Sequence, residues 1–220
     1  MADLDRVREF YGQWAHLYDR LATAPGVRSW RRRAAAALDL SPGDTVVEMG
    51  CGTGANVPFL REQVGPDGRV VGIDVTRPLL DRARERAAEA GWTNAHVCAG
   101  DATQPPVSGP VDAVLGTFVL GLFRDPAAVV DDWTDLCRPG GRVAVLNFQR
   151  SDHLLAAPIN LAFAAFLWAG SPGWGVPDEP VTAAFERRVD AGRTALAART
   201  DDRRYETFGG GYLGLLSGRV

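Results

Sequence analysis

The sequence predicts an α/β domain with a doubly wound, mostly parallel sheet of seven strands, edged by a C-terminal antiparallel hairpin. Three observations carry that expectation. Between Thr45 and Phe148, five β-rich segments alternate with helical stretches, the pattern of parallel strands joined by crossover helices. The first of these segments runs directly into a glycine turn and a helix start, TVVEMGCGTGANV, from Thr45 to Val57. The tail holds two short β-rich pieces, Tyr205 to Phe208 and Tyr212 to Ser217, around the turn Gly209 to Gly211.

Length and composition bound the function. A chain of 220 residues can bury one sizeable core and is read as a single domain over 1–220. The net charge of -3 makes no case for a nucleic-acid partner. All 24 basic residues are Arg, which leaves no lysine for base or Schiff-base chemistry. Cys51, Cys98 and Cys137 form no CxxC pair, so they read as reduced thiols of a cytoplasmic protein and supply no metal site. The N-terminus MADLDRVREF has no apolar core of a signal peptide. His153 to Gly170, HLLAAPINLAFAAFLWAG, is short for a membrane span and carries Pro158 and Asn160; it reads as a buried or interfacial helix pair.

In chain order, Arg6 to Leu21 places Phe10, Trp14, Leu17 and Leu21 at helical spacing. Trp14 reads as packing, while Tyr11 and Tyr18 can carry hydroxyls to the edge of a ligand site. Ser29 to Leu40 is an Ala-rich helix whose Arg31 to Arg33 run reads as a solvated face. In the glycine stretch, Gly50, Gly52 and Gly54 let the chain turn sharply and bring N–H groups to a ligand, with a helix N-terminus behind them. Glu48 at the mouth of that strand would repel a dinucleotide's phosphates. It suits a ligand carrying an ammonium and a sulfonium, such as S-adenosylmethionine. Cys51 within the loop is read as a small filler lining the site rather than a nucleophile.

After a helix over Ala55 to Val64 and the turn Gly65 to Gly68, the strand Arg69 to Asp74 ends in an acid. Asp74 stands about twenty residues past the glycines, the offset at which a carboxylate takes the hydroxyls of a ribose. Thr76 is the expected N-cap of a helix over Thr76 to Ala90, with Gly91 beyond it. A strand over Ala95 to Ala99 leads to Asp101, placed to accept from an adenine amino group or, alternatively, to form a turn. The fourth strand is Val111 to Phe118. Asp125 caps a helix over Pro126 to Cys137, closed by Pro139, Gly140 and Gly141, and Arg142 to Phe148 is the fifth strand. From Gln149 to about Arg203 the pattern breaks into apolar and Gly/Pro-rich pieces.

On VVEMGCGTG, VVGID, AGDATQPP, VDAVLGTFVL and LCRPGGRVAVLNF, in that order, the chain resembles the class I S-adenosylmethionine-dependent methyltransferases, most closely the UbiE type. FYGQWAHLYDRL is similar to the helix that opens many of them. The resemblance implies a Rossmann-like core over 41–148, N-terminal helices over 1–40, a helical substrate roof over 149–203 and the terminal hairpin over 204–220. It implies that Glu48, Gly50, Gly52 and Gly54 line the methionine part of the cofactor, S-adenosyl-L-methionine, whose product is S-adenosyl-L-homocysteine. Asp74 would bind the ribose, Asp101 with Ala102 the adenine, and Val75 its flank. Thr117 and Phe118 would lie beneath the cofactor, and Tyr11 and Tyr18 would close over it.

The expected reaction is methyl transfer to a small, apolar or quinone-like acceptor at carbon or oxygen. A phenolic acceptor benefits from a base. The candidates are His153, Asp152, His16 and Tyr11, with His153 chosen for its place after the fifth strand. The roof from Ser151 to Arg188, with Phe163, Phe166, Leu167, Trp168 and Trp174, is expected to select a flat or isoprenoid-bearing acceptor. Pro172, Gly173, Gly175 and Pro177 suggest that it is a lid. Phospholipid head-group N-methylation with peripheral membrane contact, and cofactor binding without catalysis, are the alternatives. A NAD-dependent oxidoreductase fits GxGxG poorly, and arsenite methylation fits three dispersed thiols poorly. The chain is expected to be a monomer or homodimer.

Overall fold

A computed structural model describes residues 25–151 and 180–220. Its helices are α1 (Pro25–Ala36), α2 (Val57–Val64), α3 (Arg77–Glu89), α4 (Pro126–Leu136) and α5 (Val181–Arg199). Its strands are β1 (Thr45–Met49), β2 (Arg69–Asp74), β3 (Ala95–Ala99), β4 (Val111–Thr117), β5 (Cys137–Phe148), β6 (Asp201–Phe208) and β7 (Leu213–Arg219). They form one sheet in the order β3-β2-β1-β4-β5-β7-β6. Strands β1 to β5 run parallel, and β7 is antiparallel to both β5 and β6. This is the expected Rossmann-like sheet with its terminal hairpin.

The central strands are continuous apolar runs because both of their faces are covered. On one face Ala34 and Ala35 of α1 and Leu38 just past it, with Phe59, Leu60 and Val64 of α2, pack against Val46, Leu115, Leu146 and Leu215. On the other, Val129, Val130 and Trp133 of α4 and Val189 and Leu196 of α5 pack against Val47, Val114, Val143 and Val145. The strand order reverses between β1 and its two neighbours, β2 and β4. A crevice opens outside the carboxyl ends of strands at such a reversal, and the site is built there.

Several local readings need correction: helix α1 runs Pro25–Ala36 rather than Ser29 to Leu40, and β6 begins at Asp201 rather than Tyr205. The helix expected from Ala55 begins at Val57, with Asn56 in the cap position. Strand β5 begins at Cys137 rather than Arg142, and its register against β4 shifts between Val111 and Ala113. Pro139 and Gly140 thus sit in an irregular strand entry, where Gly140 has φ +82° and its N–H donates to the Val220 carbonyl. Within the stretch read as irregular, Val181–Arg199 is a 19-residue helix whose Ala184, Val189, Gly192 and Leu196 are buried, with Gly192 packed close to Leu120 and Pro126. Finally, Arg31 is not on a solvated face: it is 4% exposed.

The expected N-terminal aromatic helix, the apolar stretch from His153 and most of the expected roof lie outside the described residues. Among the described residues no helix is long and apolar enough to cross a membrane, and no cluster of potential metal ligands occurs.

Trp133 joins three elements. Its indole is fully buried, its N–H donates to the Ala102 carbonyl at 2.8 Å, and its ring lies edge-on to Phe123 at 5.8 Å. A Cβ on Gly116 would come within 2.7 Å of that ring, so β4 must be bare at this point. Replacing Trp133 with Ala leaves a large cavity and an unpaired carbonyl, and we expect a loss of about 3–5 kcal/mol in urea unfolding. A loss below about 1 kcal/mol would show that the ring is not a core element.

Candidate functional site

The glycine loop is held in shape by backbone constraints on both sides. Gly50, Gly52 and Gly54 have φ of +69°, +54° and +71°, the left-handed region that side chains other than glycine rarely adopt. A Cβ on Gly50 would overlap Val119, and one on Gly54 would come within 3.1 Å of Ala83 in α3. The loop is tied to the end of β2 by Cys51 N–H, which donates to the Ile73 carbonyl at 2.9 Å. Gly52 N–H donates to Asp74 Oδ2 at 2.9 Å, and the other carboxylate oxygen of Asp74 accepts from Thr76 N–H at 2.8 Å. Burial raises the Asp74 pKa, and these amides oppose the rise.

Thr76 occupies the cap position of α3, but its side chain makes no capping bond. Cys51 packs its sulfur under Gly72, where a Cβ would be 2.7 Å away, and burial pushes its thiol pKa well up. It is a filler with no thiolate to offer.

Beneath the loop lies a buried polar cluster. Glu48 is fully buried, and its Oε1 accepts from Asn56 Nδ2 at 2.5 Å. Asn56 Nδ2 also donates to Thr117 Oγ1 at 2.9 Å. Arg31 Nη1 donates to Asn56 Oδ1 at 3.2 Å and to Thr117 Oγ1 at 3.3 Å. Burial pushes the Glu48 pKa up to about 7, against the pull of the Asn56 hydrogen bond and the Arg31 charge. Its second oxygen, Oε2, is buried and has no hydrogen-bond partner.

The rim is formed by the ends of β3, β4 and β5. Asp101 accepts from Thr103 N–H at 2.8 Å, so the turn-forming role holds, and Ala102 is packed into the core with its carbonyl on Trp133. Val75 is half-buried just past β2. Phe118 has φ +62°, strained for a residue with a side chain. It is held there by its N–H on the Leu146 carbonyl at 2.7 Å and by stacking on Phe148, with ring centroids 4.5 Å apart.

The structure therefore brings Glu48, Gly50, Cys51, Gly52, Gly54, Asp74, Val75, Asp101, Ala102, Thr117 and Phe118 to the carboxyl edge of the sheet. Thr117 differs from expectation in that its hydroxyl belongs to the buried cluster. Tyr11, His16, Tyr18, Asp152 and His153 lie outside the described residues. Reading the sequence missed Arg31, Asn56 and Phe148. A signal for Arg31 was present: Arg31, Ala34, Ala35 and Leu38 share one helical stripe, so the basic residue sits on the buried face.

The unpartnered Glu48 oxygen under three left-handed glycines fits a cationic group of a ligand better than a phosphate. Residues 40–165 match the methyltransferase domain family, and the chain belongs to it, within the class I S-adenosylmethionine-dependent methyltransferases. It is 38% identical over 136 residues to nocamycin O-methyltransferase from Saccharothrix syringae, an alignment covering 59% of this chain and 49% of that one. The chain thus spans about half the length of that relative. It is 32% identical over 174 residues to phosphatidylethanolamine N-methyltransferase from Cereibacter sphaeroides, covering 78% of this chain and 81% of that one. A solved S-adenosylmethionine-dependent methyltransferase from Aquifex aeolicus shares the fold, with TM-score 0.65, 17% identity and coverage of 95% and 98%.

The buried carboxylate makes a prediction for stability. A carboxyl whose folded pKa lies above its unfolded value stabilises the fold below pH 4.5, and that contribution is lost as pH rises through about 7. Glu48→Gln, which keeps the Asn56 bond without the charge, is expected to be more stable than the wild type at pH 8 by on the order of 2–4 kcal/mol. The difference should close toward pH 5. Equal unfolding midpoints for the two proteins at pH 8 would show that the buried charge carries no penalty.

Proposed function

We propose that this chain transfers a methyl group from S-adenosylmethionine to a small, apolar, flat acceptor, at oxygen or carbon. The observation that carries this reading is the buried, half-satisfied carboxylate of Glu48 under the glycine loop. In this reading Glu48 takes the ammonium of the methionine part, which Gly50, Cys51, Gly52 and Gly54 line. Asp74 uses its remaining lone pairs on the ribose hydroxyls, Asp101 and Ala102 meet the adenine with Val75 at its flank, and Phe118 with Thr117 forms the floor.

When bound, the cofactor supplies a methyl carbon activated by a sulfonium. The chain's own work is then to position the acceptor in line with that carbon and to keep water out. The stacked Phe118 and Phe148, at the ends of β4 and β5, favour a planar acceptor such as a hydroquinone or another phenol. A phenolic acceptor must lose a proton, and His153 is the residue assigned to take it, with Tyr11 and Tyr18 closing over the cofactor.

A second reading, N-methylation of a phospholipid head group at a membrane surface, is favoured by the breadth of the likeness to phosphatidylethanolamine N-methyltransferase, which spans 81% of that protein. The two readings share the cofactor half of the site and differ in the acceptor.

Calorimetric titration with S-adenosylmethionine and S-adenosylhomocysteine tests the shared half. We expect both to bind the wild type, and Asp74→Ala to weaken them at least tenfold. No binding by folded wild type would overturn the reading. Co-sedimentation with liposomes, followed by methyl transfer to hydroquinones or to phosphatidylethanolamine, separates the two acceptors. Turnover of hydroquinone without lipid partitioning supports the first reading, and partitioning with head-group methylation replaces it by the second.

A further inference from the structure

Arg31 is buried without being part of the loop, the rim or the core. Its guanidinium reaches both halves of the crevice: Asn56 at the entry to α2, and Thr117 at the end of β4. It also lies over the strained Phe118, 5.5 Å from the ring centroid. One side chain from the helix that precedes the sheet therefore links the entry to α2 with the end of β4.

The donors decide what this contact does. A primary amide has one oxygen that only accepts and one nitrogen that only donates. With Arg31 donating to Asn56 Oδ1, the Asn56 nitrogen must face Glu48 and Thr117, and both of its protons are spent there. Turned over, the amide would set its oxygen against a carboxylate. Glu48 is thus left with Oε1 engaged and Oε2 without a partner.

The geometry points to Arg31 as a positioning residue of the cofactor site, which fixes the Asn56 amide and so leaves one oxygen of Glu48 unpaired for the cofactor's ammonium. This rests on the reading of Glu48 as a cofactor ligand. The charged and titratable groups facing Glu48 are Arg31 from α1, Asp74 from β2, Arg86 from α3 and the protonated thiol of Cys51. Arg31 and Arg86 favour the carboxylate, and Asp74 opposes it. Removing Arg31 shifts that balance toward the protonated acid and frees the amide to turn.

The test is Arg31→Met, titrated with S-adenosylmethionine between pH 6 and 9, with the Glu48 carboxyl followed by carbon-13 resonance in the unliganded chain. The expected result is a carboxyl midpoint about one unit above the wild type and a cofactor affinity about tenfold weaker at pH 7. Most of that affinity should return at pH 9. A lower melting temperature with an unmoved carboxyl midpoint and wild-type affinity would show that Arg31 only props the fold, and would overturn the proposal. If Arg31→Met does not fold, Arg31→Gln, which keeps a polar end without the charge, is read in the same way. Glu48→Gln separates the two levels. Wild-type affinity in that variant removes the reading of Glu48, and the proposal with it. Weak binding by Glu48→Gln, together with an unmoved midpoint in the Arg31 variant, overturns the proposal alone.

Discussion

A carboxylate buried where water cannot reach it is costly unless its surroundings supply what water did, and Glu48 sets that demand on everything near it. Strand β1 carries it between β2 and β4, so it cannot turn away to solvent. The first polar side chain after the glycine loop, Asn56, answers one of its oxygens, and Arg31 answers Asn56. The other oxygen is left unanswered. A group held this way is poised for a cationic partner, since binding relieves a penalty that folding has already imposed.

The loop above the carboxylate is shaped by a second acid with a different task. Asp74 spends an oxygen on the Gly52 amide and another on the Thr76 amide, so it anchors the turn after β1 to the start of α3. A residue expected to meet a ribose is also the tie between two loops. Loss of its side chain would loosen the cradle as well as remove a hydroxyl acceptor. Trp133 does comparable work from below by linking α4 to the turn after β3, where Ala102 lies. The walls of the crevice are each pinned by a hydrogen bond from a neighbouring element.

This division explains which parts were legible in the sequence. The five parallel strands were readable because strands covered on both faces are continuous apolar runs, and GxGxG was readable because three left-handed turns in five residues admit little else. Helix α5 was not, since its buried positions are an alanine, a valine, a glycine and a leucine spread over 19 residues, a faint apolar stripe. Strand β6 was only half found because DDRRYETF is exposed on nearly every residue and shows no alternation. Arg31 was misread because a basic run on a helix usually faces solvent. Its burial depends on Asn56 and Thr117, which are distant in sequence and meet it only in the folded sheet.

The part of the crevice proposed to hold the cofactor is thus built from backbone turns and short-range ties, and the chemistry proposed for it does not depend on the atom that is methylated. Proteins named for O-methylation and for N-methylation both align with this chain. That is physically reasonable, because displacement at an activated methyl carbon asks mainly for alignment and dryness. In the proposed reading, choice of acceptor comes from side chains at the rim of the crevice. Phe118 and Phe148 stand at that rim, stacked and with Phe118 held in a strained backbone conformation. Strain persists only where the surroundings over-determine it, and here a hydrogen bond, an aromatic stack and the Arg31 guanidinium do so together. The same arginine that orders the carboxylate therefore also fixes the ring at the boundary between the two halves of the site.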